Sequence, residues 1–304
     1  MQVDWSGIFP AVTTKFTEDH SLDVEAMEDH LEAQIEAGVH GLVMLGTLGE
    51  NASLSIDEKH EVVELALSVS DGRVPVLAGV AETTTSGACE FVERGTAYGT
   101  DGFMLLPGML YESDRRETMR HFRTVAEMTE RPLMIYNNPV AYGVDTTPAM
   151  FEALADEDAI VAIKESSDDV RRITDIYNRV GDRYQLFCGV DDLALESLAM
   201  GAVGWVAGLV NAFPEETVAI YELAKAGRMD EAREIYRWFA PLLHLDVSTK
   251  LVQNIKLAEA MVGIGTEPVR PPRLPLVGEE REHVKGVIQD GLDARPDLSN
   301  YDLP

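Results

Sequence analysis

Lys164 stands at the end of an apolar run, Ala159-Ile160-Val161-Ala162-Ile163, and is followed at once by Glu165-Ser166-Ser167-Asp168-Asp169. An ammonium pinned at the mouth of a buried strand loses hydration, and its pKa falls toward neutrality. The neutral amine then attacks carbonyls and forms Schiff bases. Tyr136 also ends an apolar segment, and a phenol beside a reacting carbon shuttles protons. Thr47 lies in Gly46-Thr47-Leu48-Gly49, where glycines let backbone N–H groups approach an anion such as a carboxylate. Taken singly, each has a plainer reading: a paired structural lysine, a buried aromatic, an ordinary turn. Of the seven lysines, only Lys15 rivals Lys164 in position. The acids Glu18 and Asp19 that follow it predict a solvated surface lysine there. Lys59, Lys225 and Lys285 fall on helical polar faces or ends, and Lys250 and Lys256 in the C-terminal helices.

The segments that must position these residues alternate between two patterns. Eight short apolar runs, 7–13, 41–46, 74–80, 102–106, 133–136, 160–164, 184–189 and 203–209, show little polar alternation. That is the signature of strands buried on both faces. Between them lie seven amphipathic stretches, 23–37, 57–69, 85–98, 115–129, 148–155, 170–180 and 193–200. Val24, Met27, Leu31 and Ile35 form one stripe of the first, and Ser55 with Glu58 sets a capping box before the second. Eight βα units predict an α/β protein, a (β/α)8 TIM barrel. A doubly wound open sheet is the alternative, but the first strand runs into Thr13-Thr14-Lys15-Phe16 and carries no glycine-rich nucleotide turn. Beyond the eighth strand the pattern is helical only, at 214–226, 229–243, 249–262 and 280–291, with Pro268 to Pro275 as an extended connector. The first of these completes the barrel, so residues 1–226 are expected to form the catalytic barrel and 227–304 a C-terminal helical appendage.

In such a barrel the active site lies at the C-terminal ends of the strands. Those ends supply Gly46, Thr47 and Leu48, then Tyr136 and Asn138, Lys164, Gly189 with Asp191 and Asp192, and Gly208. By position, Lys164 is the candidate nucleophile, Tyr136 the candidate proton carrier and Thr47 part of a candidate anion nest. Thr47, Leu48, Gly46, Asn138, Asp191, Gly189 and Gly208 are the expected substrate contacts.

Composition narrows the partners. Lys plus Arg total 25 against 53 Asp plus Glu, a net charge of −28. Such a surface repels nucleic acid and anionic membranes. No apolar stretch is long enough to span a bilayer, and Met1-Gln2-Val3-Asp4-Trp5 has neither a basic segment nor a signal core, so a cytoplasmic location is expected. Cys89 and Cys188 read as two buried thiols in a reducing compartment. The seven histidines include no HxH or HExxH pair, which disfavours a metal-dependent aldolase.

Together, Gly46-Thr47-Leu48-Gly49-Glu50, Tyr136-Asn137-Asn138-Pro139 and Ile163-Lys164-Glu165-Ser166, at their spacing, resemble the dihydrodipicolinate synthase/N-acetylneuraminate lyase family from about Gly7 to the C-terminus. The resemblance implies a Schiff-base mechanism on pyruvate or a similar 2-oxo acid. Lys164 condenses with C2, Tyr136 relays the proton, the N–H groups of Thr47 and Leu48 hold the carboxylate, and Thr47 Oγ links Tyr136 to solvent or to a second relay group. It also implies a homotetramer and no need of a metal or diffusible cofactor. Three departures bear on the substrate. Leu48 replaces a second threonine, and Gly108-Met109 stands where the family carries a tyrosine that enters the neighbouring subunit, with Tyr111 out of register. Ala141 occupies the place of an arginine that binds a second carboxylate. These departures disfavour lysine biosynthesis, because an arginine–carboxylate pair is a strong oriented contact.

The compact apolar set Leu48, Met109, Val140 and Ala141 favours a cyclic imino acid, with deamination of 1-pyrroline-4-hydroxy-2-carboxylate to 2,5-dioxopentanoate as the leading expectation. The combination of Gly-Thr-Leu-Gly-Glu-Asn, Tyr-Asn-Asn-Pro and Val-Asp-Asp-Leu resembles that branch. The alternatives are an aldolase for 2-keto-3-deoxy acids or N-acetylneuraminate, whose polyol Asp191 and Asp192 would hold, a 4-hydroxy-tetrahydrodipicolinate synthase, and a metabolite-binding sensor without catalysis. The charge supplies its own test. If the surface is adapted to a salt-rich cytoplasm, screening of self-repulsion raises the melting temperature from dilute buffer to molar KCl. Equal melting temperatures in the two media would remove that reading.

Overall fold

The computed structural model describes residues 3–108 and 111–303. Its elements follow the alternation of apolar and amphipathic segments. β1 (Gly7–Pro10) leads to α1 (Val24–Glu36), β2 (Leu42–Met44) to α2 (Ile56–Ser70), β3 (Val76–Val80) to α3 (Thr85–Tyr98), and β4 (Gly102–Leu105) to α4 (Arg115–Ala126). β5 (Leu133–Asn137) is followed by two short helices, α5 (Pro139–Tyr142) and α6 (Pro148–Ala153). β6 (Ile160–Glu165), α7 (Arg171–Val180), β7 (Gln185–Cys188), α8 (Ala194–Ala199), β8 (Gly204–Ala207) and α9 (Pro214–Lys225) complete the barrel units. α10 (Met229–Leu243), α11 (Leu251–Val262) and α12 (Gly278–Asp293) follow.

All pairings in the sheet are parallel, in the order β1-β8-β7-β6-β5-β4-β3-β2. The remaining gap, between β1 and β2, is bridged at Ala11–Val43, where the N–H of Val12 donates to Val43 O at 2.9 Å. The result is a (β/α)8 barrel, and the open doubly wound sheet is excluded. Every residue of β1 to β6 and of β8 is buried, which explains why the strands read as continuous apolar runs. The helices α1 to α5 begin where a side chain, of Asp23, Ser55, Thr84, Asp114 and Asn138 in turn, accepts from a first-turn N–H group. Ser55 and Glu58 form the expected capping box of α2, and Asp114 with Glu117 forms another on α4.

The C-terminal helices reach back to the catalytic end of the barrel. α11 packs beside the turn at Leu209–Asn211, and two of its residues bury ion pairs with the loops after β1 and β2. Lys256 Nζ lies 2.7 Å from Glu50 Oε1, and Glu259 pairs with Lys15 and accepts from Thr13 Oγ1 at 2.6 Å. Lys15, expected at the surface, is fully buried, because α11 covers it and delivers its counter-ion from 244 residues away. Burial pushes the Lys15 amine down to about 8 against the raising effect of Glu259. Lys59 is also buried rather than on a polar face, paired with Glu82 at 2.6 Å. Val24, placed on the core stripe of α1, is exposed. Cys188 is buried, but Cys89 is only partly so, and both thiols are free.

Removing one partner of a dry ion pair leaves an uncompensated charge in the interior. Glu259→Ala is therefore expected to lower the unfolding free energy by about 3–5 kcal/mol. Denaturant titration measures this, and a loss below about 1 kcal/mol would mean the pair is not buried as described.

Candidate active site

The register of β5 on β6 sets Tyr136 directly beside Lys164. Cα partners in a parallel pair point to the same face, so both side chains enter the barrel mouth. Lys164 Nζ sits 4.0 Å from the centroid of the Tyr136 ring. The next pair in register, Asn137 and Glu165, points the other way and fastens the strand ends. Asn137 Nδ2 donates to Glu165 Oε2 at 3.0 Å, and the Ser167 N–H donates to Glu165 Oε1 at 2.8 Å. Gly189 on the neighbouring strand end leaves room for the lysine stem, because a Cβ there would lie 2.5 Å from Lys164 Cε. Lys164 is 5% exposed. Burial lowers its pKa, against the opposing influence of Tyr142, Asp246 and Asp191. Burial raises that of Tyr136, whose hydroxyl accepts from Asn138 Nδ2 at 3.1 Å.

The turn after β2 carries Gly46, Thr47 and Leu48. Its own bonds use the N–H groups of Glu50 and Asn51, which donate to the carbonyls of Thr47 and Gly46. Asn51 Nδ2 pins the turn by donating to Leu45 O at 3.0 Å. The N–H groups of Thr47 and Leu48 take no part in these bonds. Thr47 Oγ1 lies 2.6 Å from the hydroxyl of Tyr142. Tyr142 in turn stands edge-on to Tyr136, with ring centroids 5.7 Å apart at 89°. Thr47 thus reaches a second phenol, a residue that sequence reasoning missed.

Tyr142 is delivered by the single turn of α5. Asn138 caps that turn, its Oδ1 accepting from the Ala141 N–H at 2.9 Å, with Pro139 at the first helical position and Gly143 closing it at φ +73°. Asn, Pro and Gly at those places are a legible start and stop. Asn138 therefore holds Tyr136 and builds α5 with its two side-chain ends. Val140 and Ala141 lie on the exposed rim, Leu48 is buried in the wall, and Met109 falls outside the described residues.

Asp191 does not meet the cavity as expected. It is fully buried, and its carboxylate accepts from Trp205 Nε1 at 2.9 Å, Gly208 N at 3.0 Å and Leu209 N at 2.8 Å. Held by those donors and fully buried, it does not line the cavity. Asp192 faces His244 at 3.7 Å and is likewise absent from the cavity wall. The acid that does enter is Asp246, from the loop joining α10 to α11, with Ser248 and Thr249 beside it. Gly208 admits it, since a Cβ at that position would lie 2.9 Å from Asp246 Cγ. Asp246 Oδ1 and Ser166 Oγ are both buried with no hydrogen-bond partner among the described residues. Burial raises the Asp246 carboxyl well above its usual range, with the Asp191 charge adding and Lys164 opposing. An acid shifted up beside an amine shifted down is the arrangement that sustains proton transfer near neutral pH. Among the described residues, Lys164 is the only lysine or arginine lining this cavity of about 480 Å³, while both Asp168 and Asp246 line it.

The family model described as "Dihydrodipicolinate synthetase family" matches residues 4–290. The chain belongs to that family. As a member of the dihydrodipicolinate synthetase family it is a Schiff-base-forming lyase. A 4-hydroxy-tetrahydrodipicolinate synthase of Methanothrix thermoacetophila is 33% identical over 96% of this chain and 99% of its own. Among solved structures, the 4-hydroxy-tetrahydrodipicolinate synthase of Methylacidiphilum fumariolicum SolV superposes with a TM-score of 0.92 at 29% identity, covering 98% of both chains. The dihydrodipicolinate synthase of Acinetobacter baumannii, solved in complex with pyruvate, superposes at 0.90 with 26% identity over 94% of this chain and 98% of that one. Among the described residues no helix is long and apolar enough to cross a membrane.

A lowered pKa makes the free amine available at pH values where an ordinary lysine, at 10.5, is protonated. The rate of imine formation at Lys164 is expected to rise with pH and level off below 10.5. A profile still climbing through 10.5 would show an unperturbed lysine.

Proposed function

We propose that this chain forms a Schiff base between Lys164 and C2 of pyruvate or a pyruvate-like 2-oxo acid, and makes or breaks a bond at the adjacent carbon. The observation that carries this reading is the dry Lys164 amine held 4.0 Å from the Tyr136 ring inside the cavity. The amine adds to the carbonyl to give a carbinolamine. Protonation of its hydroxyl expels water and leaves an iminium, which draws electrons from C3. Tyr136 is the group placed to give and take these protons. The N–H groups of Thr47 and Leu48, uncommitted in their turn, are the proposed anchor for the substrate carboxylate.

The cavity wall favours a neutral, hydroxylated second half for the substrate, as in a 2-keto-3-deoxy acid. It is lined by Asp246, Ser248 and Thr249 and, among the described residues, by no lysine or arginine besides Lys164 for a second carboxylate. In this reading Asp246 takes the role first assigned to Asp191 and Asp192. The cyclic imino acid drew its support from a compact apolar set and from a motif resemblance; Leu48, Val140 and Ala141 do line the cavity, but a volume of about 480 Å³ with Asp246, Ser248 and Thr249 on its wall favours the longer hydroxylated substrate. A second reading, condensation of pyruvate with aspartate semialdehyde, is favoured by the name that the relatives carry, 4-hydroxy-tetrahydrodipicolinate synthase.

A substrate panel with wild type and Lys164→Ala separates these readings. Cleavage of 2-keto-3-deoxygluconate to pyruvate, lost in the variant, is the expected result. Efficient turnover of pyruvate with aspartate semialdehyde alone would establish the second reading. Ammonia released only from 1-pyrroline-4-hydroxy-2-carboxylate would restore the deaminase.

A further inference from the structure

We propose that Tyr142 is the second proton-carrying phenol of this site, so that the relay from Tyr136 through Tyr142 to Thr47 is complete within one chain. The inference rests on the Schiff-base reading. Its geometry is direct. Thr47 Oγ1 and the Tyr142 hydroxyl are 2.6 Å apart, a short hydrogen bond in which either oxygen can donate. The Tyr142 ring stands edge-on to Tyr136, with centroids 5.7 Å apart at 89°, and burial raises the pKa of both phenols. Tyr142 lines the same cavity as Lys164.

Such a chain answers a physical need. When Tyr136 gives its proton to the carbinolamine hydroxyl, water leaves and a phenolate remains in a buried setting that disfavours its charge. Tyr142 returns a proton to Tyr136 and takes one from Thr47, whose hydroxyl recovers it from cavity water. In the next step the proton from C3 travels the same path outward, and the iminium becomes an enamine. Every proton taken up in dehydration is accounted for by one moving along the three hydroxyls. Among the described residues, Tyr136 and Tyr142 are the only tyrosines lining this cavity of the single chain. Tyr111 is 58% exposed and lines a different cavity, with Arg116, Arg120 and His121.

The test is deuterium incorporation into the methyl group of pyruvate in D2O, followed by proton NMR. Tyr142→Phe keeps the ring and removes the hydroxyl. Exchange is expected to fall about 100-fold or more, in the range of a positioned acid–base group, with the melting temperature unchanged. Tyr111→Phe is expected to exchange like wild type. Thr47→Val cuts the same chain at its other end, so it serves even if Tyr142→Phe folds poorly. The double variant is expected to lose no more than the worse single one, because the two hydroxyls act as one unit. Wild-type exchange in a folded Tyr142→Phe, additive losses in the double variant, or a loss confined to Tyr111→Phe would each overturn the proposal. A wild-type protein that neither exchanges nor traps pyruvate would remove the Schiff-base reading and this proposal with it.

Discussion

Burying an amine at the end of a parallel strand is unfavourable unless the amine is uncharged or closely compensated, and much of this molecule is arranged around that constraint. Lys164 is held dry by the strands on either side, by the Tyr136 ring against its nitrogen and by a glycine that leaves space for its stem. Tyr142 and Asp246 oppose this desolvation only in their ionised forms, and neither forms a salt bridge to the amine. The same desolvation that lowers the lysine raises the tyrosines and the aspartate. A single physical cause therefore produces a nucleophile and a set of protonated donors around it.

The C-terminal helices share in this arrangement. α11 anchors to the loops after β1 and β2 through buried ion pairs with Lys15 and Glu50. Those anchors fix the segment just before α11, from which Asp246, Ser248 and Thr249 project into the cavity. Loops at the ends of barrel strands are the usual source of specificity in this architecture. Here one wall of the site comes instead from the connection between two helices beyond the barrel.

The strands were legible because burial on both faces writes a continuous apolar run, and Lys164 was legible because a cation interrupts such a run only at its end. The capping box at Ser55 and Glu58 was legible because it is local. What stayed hidden depends on distant partners or very short elements. Lys15 looked solvated because its local acids are exposed, while its true partner, Glu259, is 244 residues away. Asp191 looked available because nothing in its neighbourhood reveals the Trp205 indole and the two N–H groups that hold it. Asp246 lies after a helix in an apolar stretch, where sequence offers no reason to place it opposite a barrel strand. Tyr142 sits on one turn of helix, too short for periodicity, although Asn138, Pro139 and Gly143 mark that turn.

The measurement closest to the centre of this structure is reductive trapping. The protein is incubated with pyruvate and borohydride, digested, and mapped by mass spectrometry. The expected result is one reduced pyruvate adduct at Lys164, absent from Lys164→Ala. An unmodified Lys164, or an adduct at Lys15 or another lysine, would contradict the assignment of the nucleophile.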